Sequence, residues 1–339
     1  MKPTSLTLAV ATGLLLASWH AIALAESPSA TLFDERVAAG LPQAFSLPRP
    51  PDDTRGEGVD QVVVEERLDA DVVYPDGSHA TTYVGTANGI EATFVRLGDA
   101  LDVSVFDDAD DSLEAKAPRR VRRSLVPEPD DVVSPIASIP PAVSLLSVEP
   151  ARELQFWIFL HDDSGESNYA RFHSWYIAWW IRDMERNIKP GLPVKVFVRD
   201  KIPGVTDFDY RPGAHHDALK RFSKTADNYL RGQGVVPWRL TKTMLFIRER
   251  PITWNGIYGI ADQGWTAAMA SGTGPRHIVA HEFGHTLGAR HAYGELRFPC
   301  VTNMMDWVIP YHSCRIYSGI NDDQIRNHAR GALRSTFGE

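Results

Sequence analysis

The stretch that most constrains this chain is His281-Glu282-Phe283-Gly284-His285-Thr286-Leu287-Gly288-Ala289-Arg290-His291. His281 and His285 are four residues apart, and side chains at that spacing share one helix face, a turn apart. Two imidazoles so placed can grip one metal ion, and Glu282 then projects close to the open side of that ion. His291 follows His285 by six residues. A straight helix would carry it away from the metal, so the chain must first turn back. Gly288 stands where that turn is needed, and glycine takes the left-handed, helix-ending conformation without a Cβ clash. Three neutral imidazoles with a free fourth position make a catalytic rather than a structural zinc site. His277 is in register one turn earlier, but it lies two turns, roughly 12 Å along the axis, from His285. It is expected to pack rather than to bind. Thr273-Gly274-Pro275 reads as the helix start.

The pattern H-E-x-x-H-x-x-G-x-x-H, with a methionine turn after it, resembles the signature of the metzincin clan of zinc metalloendopeptidases. The resemblance covers about residues 153 to 335. It implies an α/β catalytic domain with a mixed twisted sheet, a zinc-binding active-site helix and a Met-turn beneath it. Cys300-Val301-Thr302-Asn303-Met304-Met305 resembles that turn. The family pattern Asn-x-Met implies Met305 as the methionine under the imidazoles, with Met304 as the alternative. Tyr258, Gly259, Ile260 and Ala261 fall where the family has an edge strand that pairs with extended substrate, a mode that gives affinity with little sequence specificity. The segment Tyr311-His312-Ser313-Cys314 and the run to Gln324-Ile325 look most like reprolysin-like secreted bacterial members. Ala292 after the third histidine and Trp307 after the turn depart from the reprolysin, astacin and serralysin patterns, which leaves the subfamily open.

The activity implied is endopeptidase hydrolysis of protein or peptide substrates. One Zn²⁺ held by His281, His285 and His291 would bring the pKa of a bound water to roughly 7. Glu282 would take that water's proton and pass it to the leaving amine. Two rivals remain: a metzincin fold kept as a catalytically silent protein-binding module, and a zinc hydrolase for a non-peptide amide.

The N-terminus reads as an address. Lys2 precedes an apolar run from Leu6 to about Leu24, and Ala23-Leu24-Ala25 fits a signal-peptidase site. Residues 1–25 are thus read as a signal peptide, with a secreted or periplasmic product and no stable membrane insertion after cleavage. A retained anchor is the alternative, since about twenty apolar residues can span a bilayer. In an exported chain the two cysteines, Cys300 and Cys314, are expected to form a disulfide; two buried thiols are the alternative. A net charge of -8 gives no reason to expect nucleic acid as a partner.

The 339 residues suffice for one large domain or two ordinary ones. From Glu26 to about Asp60 little regular structure is expected. Val62-Val63-Val64, Thr81 to Thr86, Glu91 to Leu97 and Leu101 to Phe106 read as strands of a small β-rich module, with a turn at Tyr74-Pro75-Asp76-Gly77-Ser78. Asp107 to Asp111 is a solvated acidic loop. The cluster Arg119-Arg120-Val121-Arg122-Arg123 then opens a proline-rich linker over 124–150. Basic residues in such a linker suit a processing protease, so residues 26–123 read as a pro-region of a zymogen; a permanent accessory domain is the alternative. Residues 151–339 form the peptidase domain. Leu154 to Leu160 is apolar enough for a buried strand. Phe172, Trp175, Tyr176, Trp179, Trp180 and Met184 recur at helical spacing and read as core. Val194 to Val198 and Met244 to Ile247 are strands around a helix at Leu219 to Leu230. Ile257 to Ala261 and Gly264 to Ala270 are strands before the zinc helix. Asn321 and Gln324 read as a capping box for a last helix.

Overall fold

The structure, a computed structural model, describes residues 27–49, 58–106, 132–133, 150–250, 257–305 and 312–338. The stretch 1–25 read as a signal peptide, the acidic run 107–111, the arginine cluster 119–123, nearly all of the expected linker 124–150 and the segment 306–311 lie outside the described residues.

The N-terminal stretch carries more structure than its composition suggests. Pro28–Ala38 form helix α1, with Pro28 in the first turn, where its missing N–H costs nothing. Phe33 is buried and meets Tyr83 and Phe94 at ring-centroid distances of 5.2 and 5.7 Å. Gln43–Pro48 form β1, antiparallel to β2, Val59–Arg67. Along β2 the side chains alternate, with Val62 and Val64 buried between exposed neighbours, as a half-buried strand requires. β3 (Asp71–Val73), β4 (His79–Ala87), β5 (Ile90–Leu97) and β6 (Ala100–Val105) complete the module. The expected turn closes between β3 and β4, where the Gly77 N–H donates to Tyr74 O at 3.0 Å.

The second half is mixed α/β. β8 (Leu154–Leu160) and β10 (Thr241–Ile247) are buried at every residue, because helices cover both faces. Parallel pairing joins β9 (Val194–Arg199) to β8, β8 to β10, and β10 to β12 (Ala267–Ser271). β11 (Gly259–Asp262) adds antiparallel to β12. The short β7, Val132–Val133, lies parallel on its other edge. On one face, alternate strand residues such as Trp157, Phe159 and Leu245 pack against Leu219 and Phe222 of helix α3, His215–Gly232. The opposite face packs Phe156, Ile158 and Phe246 against three helices: α2 over 169–188, α4 (Ile278–Thr286) and α5 (Gly319–Phe337). The aromatic stripe of α2 is core, as expected. Trp180 stacks on Phe283 of α4 at 5.2 Å and meets Phe156 edge-on at 4.5 Å. Two stretches of α2, His173–Ala178 and Met184–Ile188, are wound as wider π-helix, which a 3.6-residue period does not foretell.

The two halves share one 12-stranded sheet. β3 pairs antiparallel with β4 and parallel with β9, placing Val72 beside Val196. A single apolar cluster takes Leu68, Val72, Val84 and Val95 from the module together with Ile177, Trp180 and Ile181 from α2. Polar contacts cross the same seam. Thr82 Oγ1 and His173 Nε2 are 2.8 Å apart and buried, and burial pushes the His173 pKa down to about 3, which keeps that ring neutral. The Glu185 carboxylate accepts the N–H groups of Asp69 and Ala70 at 3.0 and 2.7 Å. Arg182 pairs with Glu91.

Removing the module would uncover the edge of β9 and the apolar face of α2, an exposure that favours aggregation. Protein nicked by trypsin in the arginine cluster should therefore run as one species on native gel filtration, with both fragments in the same peak. Two fragments eluting apart, each still folded by circular dichroism, would contradict the shared core.

Candidate metal centre

Helix α4 is buried at all nine of its residues, Ile278 to Thr286. It starts later than the sequence suggests: residues 275–277 form a turn, with the Ile278 N–H donating to Pro275 O at 2.8 Å. Its end is built as the sequence requires. Gly288 has φ +92°. The Gly288 N–H donates to His285 O and the Ala289 N–H to Gly284 O, both at 2.9 Å, the paired bonds of a glycine-terminated helix. Arg290 is then extended, at φ -135° and ψ 146°, and His291 opens a single 3₁₀ turn.

This path brings the three histidines together. His291 Nε2 lies 2.9 Å from His281 Nε2 and 3.0 Å from His285 Nε2. Among the described residues, these three form the group of potential ligand atoms that could hold a metal ion, all within 4.8 Å of one another. The Nδ1 atoms of the two helical histidines are committed. His281 Nδ1 is 2.6 Å from Asn303 O, and His285 Nδ1 is 3.1 Å from Ala289 O. A carbonyl only accepts, so each Nδ1 carries the proton and each neutral ring turns the lone pair of Nε2 inward. Lone pairs converging on one spot repel unless a cation lies between them. The donor set is all imidazole nitrogen, which suits zinc. Bonds of about 2.0–2.1 Å in a tetrahedron would set the nitrogens roughly 3.3 Å apart, a few tenths of an ångström from the spacing seen. The residues present fit the ion.

Glu282 is fully buried. Its carboxylate lies against Gly259 at the start of β11: a Cβ on Gly259 would come within 2.2 Å of Glu282 Oε1. The expected edge-strand residues thus meet the centre through one of their number. Gly259, Ile260 and Ala261 are in β11, whereas Tyr258 precedes it. The outer edge of this strand is partly taken, since Ala261 and Asp262 pair with Val132 and Val133.

The methionine under α4 is Met304, not the Met305 that the resemblance implies. Met304 is fully buried. A Cβ on Gly284, between the two helical histidines, would lie 2.6 Å from Met304 Sδ and 2.8 Å from the Tyr317 ring. Met305 is only half-buried, and its backbone faces Gly294. The shift has a physical cause. Asn303 gives its carbonyl to His281, so the next side chain in the turn is the one directed at the helix. Asn303 is itself held, through its N–H to Ile316 O at 2.8 Å and by Ser313 Oγ on its side chain at 3.2 Å. The disulfide Cys300–Cys314, with Cα atoms 5.0 Å apart, ties these segments together. It joins β14 (Cys300–Val301) to the chain after β15 (His312–Ser313), in a small sheet with β13 (Leu296–Arg297).

His277 is buried, with its pKa pushed down to about 3 by burial and by His281 and Arg315 nearby. It is not one of the converging three. Lys242 was missed in the sequence, where it stands just before the strand expected at Met244 to Ile247; the strand begins earlier, at Thr241. It is wholly buried, and Nζ donates to Thr286 O at 2.7 Å and Trp265 O at 2.5 Å. It thereby satisfies a carbonyl in the last turn of α4, which the helix itself leaves open. Burial pushes its pKa well down.

No protein-family model and no curated protein matches the chain. Among solved structures, it is similar to archaemetzincin from Methanopyrus kandleri at 14% identity and a TM-score of 0.35, over 54% of this chain and 99% of that one. A likeness that slight carries no argument; the function is read from the three histidines and Glu282.

The slot at Gly259 gives a direct test of how Glu282 is placed. Gly259→Ala puts a methyl group where the carboxylate now lies, so Glu282 must move while the three imidazoles stay. Its kcat/KM on a peptide substrate should fall at least tenfold, the scale expected when a group of the reacting site is displaced by about an ångström, with zinc content unchanged. Wild-type kcat/KM would show that the carboxylate does not need this position.

Proposed function

We propose that the chain is a zinc-dependent endopeptidase of the metzincin type, exported through residues 1–25. The observation that carries this reading is the convergence of the Nε2 atoms of His281, His285 and His291 beside the buried carboxylate of Glu282. Those imidazoles would hold one Zn²⁺, which when bound supplies a Lewis acid for a substrate carbonyl and water of lowered pKa.

The remaining roles belong to the chain. Asn303 O and Ala289 O fix the tautomers of His281 and His285. Gly259 leaves room for Glu282 to sit next to the histidine on its helix, where it can accept a proton from water and return it to the departing amine. Full burial of Glu282 keeps bulk water from competing for that carboxylate. Beyond the two residues that pair with Val132–Val133, β11 is a strand on which an extended peptide could add by backbone pairing. No helix of the described residues is long and apolar enough to cross a membrane. The intact disulfide agrees with an oxidising destination. Processing in the arginine cluster 119–123 is part of the proposal. Such a cut would leave residues 58–106 paired to β9 and packed on α2. The resemblance to reprolysin-like secreted members is carried by the sequence alone.

Purified protein should digest casein or gelatin, lose that activity to a chelator and regain it with added zinc. Glu282→Ala should keep its zinc and lose about 10² to 10⁴ in rate, the contribution of a positioned proton-transfer group. Near-normal proteolysis by this variant, or activity indifferent to chelation, would refute the mechanism.

A further inference from the structure

We infer that the side-chain amides of Asn321 and Gln263 are positioning groups for His291, and through it set how tightly the centre holds its metal; this rests on reading the three histidines as a zinc site. His281 and His285 are aimed by a buried helix and by carbonyls on their Nδ1 atoms. His291 has no such helix beneath it. Its direction depends on residues 287–290, an irregular stretch between the end of α4 and a single 3₁₀ turn. An irregular segment keeps one direction only if something outside it fixes its backbone.

Two distant elements do this. Asn321, on α5, is fully buried. Its Oδ1 accepts the Arg290 N–H at 2.9 Å, and its Nδ2 donates to Arg290 O at 3.2 Å. The amide thus takes both peptide groups of the residue before His291, as a neighbouring strand would. The sequence suggests a capping role for Asn321, but Ser318 Oγ performs it, accepting the Asn321 N–H at 3.3 Å. The Asn321 side chain is therefore available for Arg290. Gln263, in the turn between β11 and β12, donates from Nε2 to Ala289 O at 3.0 Å and lies 3.4 Å from His285 O. Ala289 O is the same carbonyl that receives His285 Nδ1. Residues 289 and 290 are consecutive, they stand between the second and third ligands, and each is held by one amide from far along the chain.

The experiment uses the full chain, stripped of metal and titrated with zinc against a competing chelator. Four proteins are compared: wild type, Asn321→Leu, Gln263→Leu and Ser318→Ala. Asn321→Leu keeps the side-chain size and removes both bonds to Arg290. Its zinc Kd should rise about 10- to 100-fold, the usual effect of removing a group that orients a ligand. Gln263→Leu should shift Kd in the same direction by a smaller factor. Ser318→Ala removes the cap of α5 without touching Arg290, so its Tm should fall while zinc affinity stays at the wild-type value. The inference is overturned if Asn321→Leu and Gln263→Leu both bind zinc as wild type does. It is equally overturned if Ser318→Ala weakens zinc as much as Asn321→Leu does at a similar loss of Tm, because the effect would then be one of general stability. Should Asn321→Leu fail to fold, Gln263→Leu decides alone, and unchanged affinity in it overturns the inference. Wild-type protein that binds no zinc would instead remove the metal centre itself, a separate outcome.

Discussion

Two of the three imidazoles at the metal centre have no choice of which nitrogen to present. Asn303 O and Ala289 O take the Nδ1 protons of His281 and His285, so the lone pairs of both Nε2 atoms turn toward one point. His291 brings a third nitrogen within 3.0 Å of each. Much of the rest of the fold can be traced to holding those carbonyls and that helix in place. The disulfide and Ser313 steady Asn303. The glycine-terminated end of α4 sets Ala289. Trp180 and Phe156 brace α4 from below through Phe283, and Tyr317 donates its hydroxyl to Ala280 O at 2.5 Å.

The legible parts of this arrangement were those written in local pattern. Leu154 to Leu160 could be read as a buried strand because a strand covered on both faces has no polar alternation to keep. The α2 stripe was readable as core from its spacing, and Gly288 announced the helix end because a left-handed residue is needed there. The rest depended on contacts between distant residues. Met304 and Met305 are adjacent and chemically identical, so only the direction of the Asn303 carbonyl separates them. Lys242 lies just outside the strand expected at Met244 to Ile247, and its role is visible only with its carbonyl partners, 23 and 44 residues away. Asn321 suggested a helix start at its own position, but the cap is Ser318, three residues earlier, and the Asn321 side chain serves Arg290 instead. Residues 28–38 were passed over although Pro28 sits where a helix can begin. Their helix is stabilised by burying Phe33 on the sheet, and the sequence does not show that contact.

The join between the two halves was also hidden, for a related reason. A parallel pairing such as β3 with β9 has no connecting turn to mark it, and these strands lie more than a hundred residues apart. The sequence divides at its proline-rich linker, whereas the sheet and the apolar core run across that division. The module and β8 belong to a single sheet, and of the stretch between them Val132–Val133 lies along β11.

X-ray absorption at the zinc edge of the loaded, full-length protein tests the centre most directly. Three imidazoles turned inward should give a shell of nitrogen and oxygen at about 2.0–2.1 Å, with the outer-shell scattering of three imidazole rings and no sulfur. A sulfur shell near roughly 2.3 Å, or scattering from fewer than three imidazoles, would contradict the geometry from which the function has been argued.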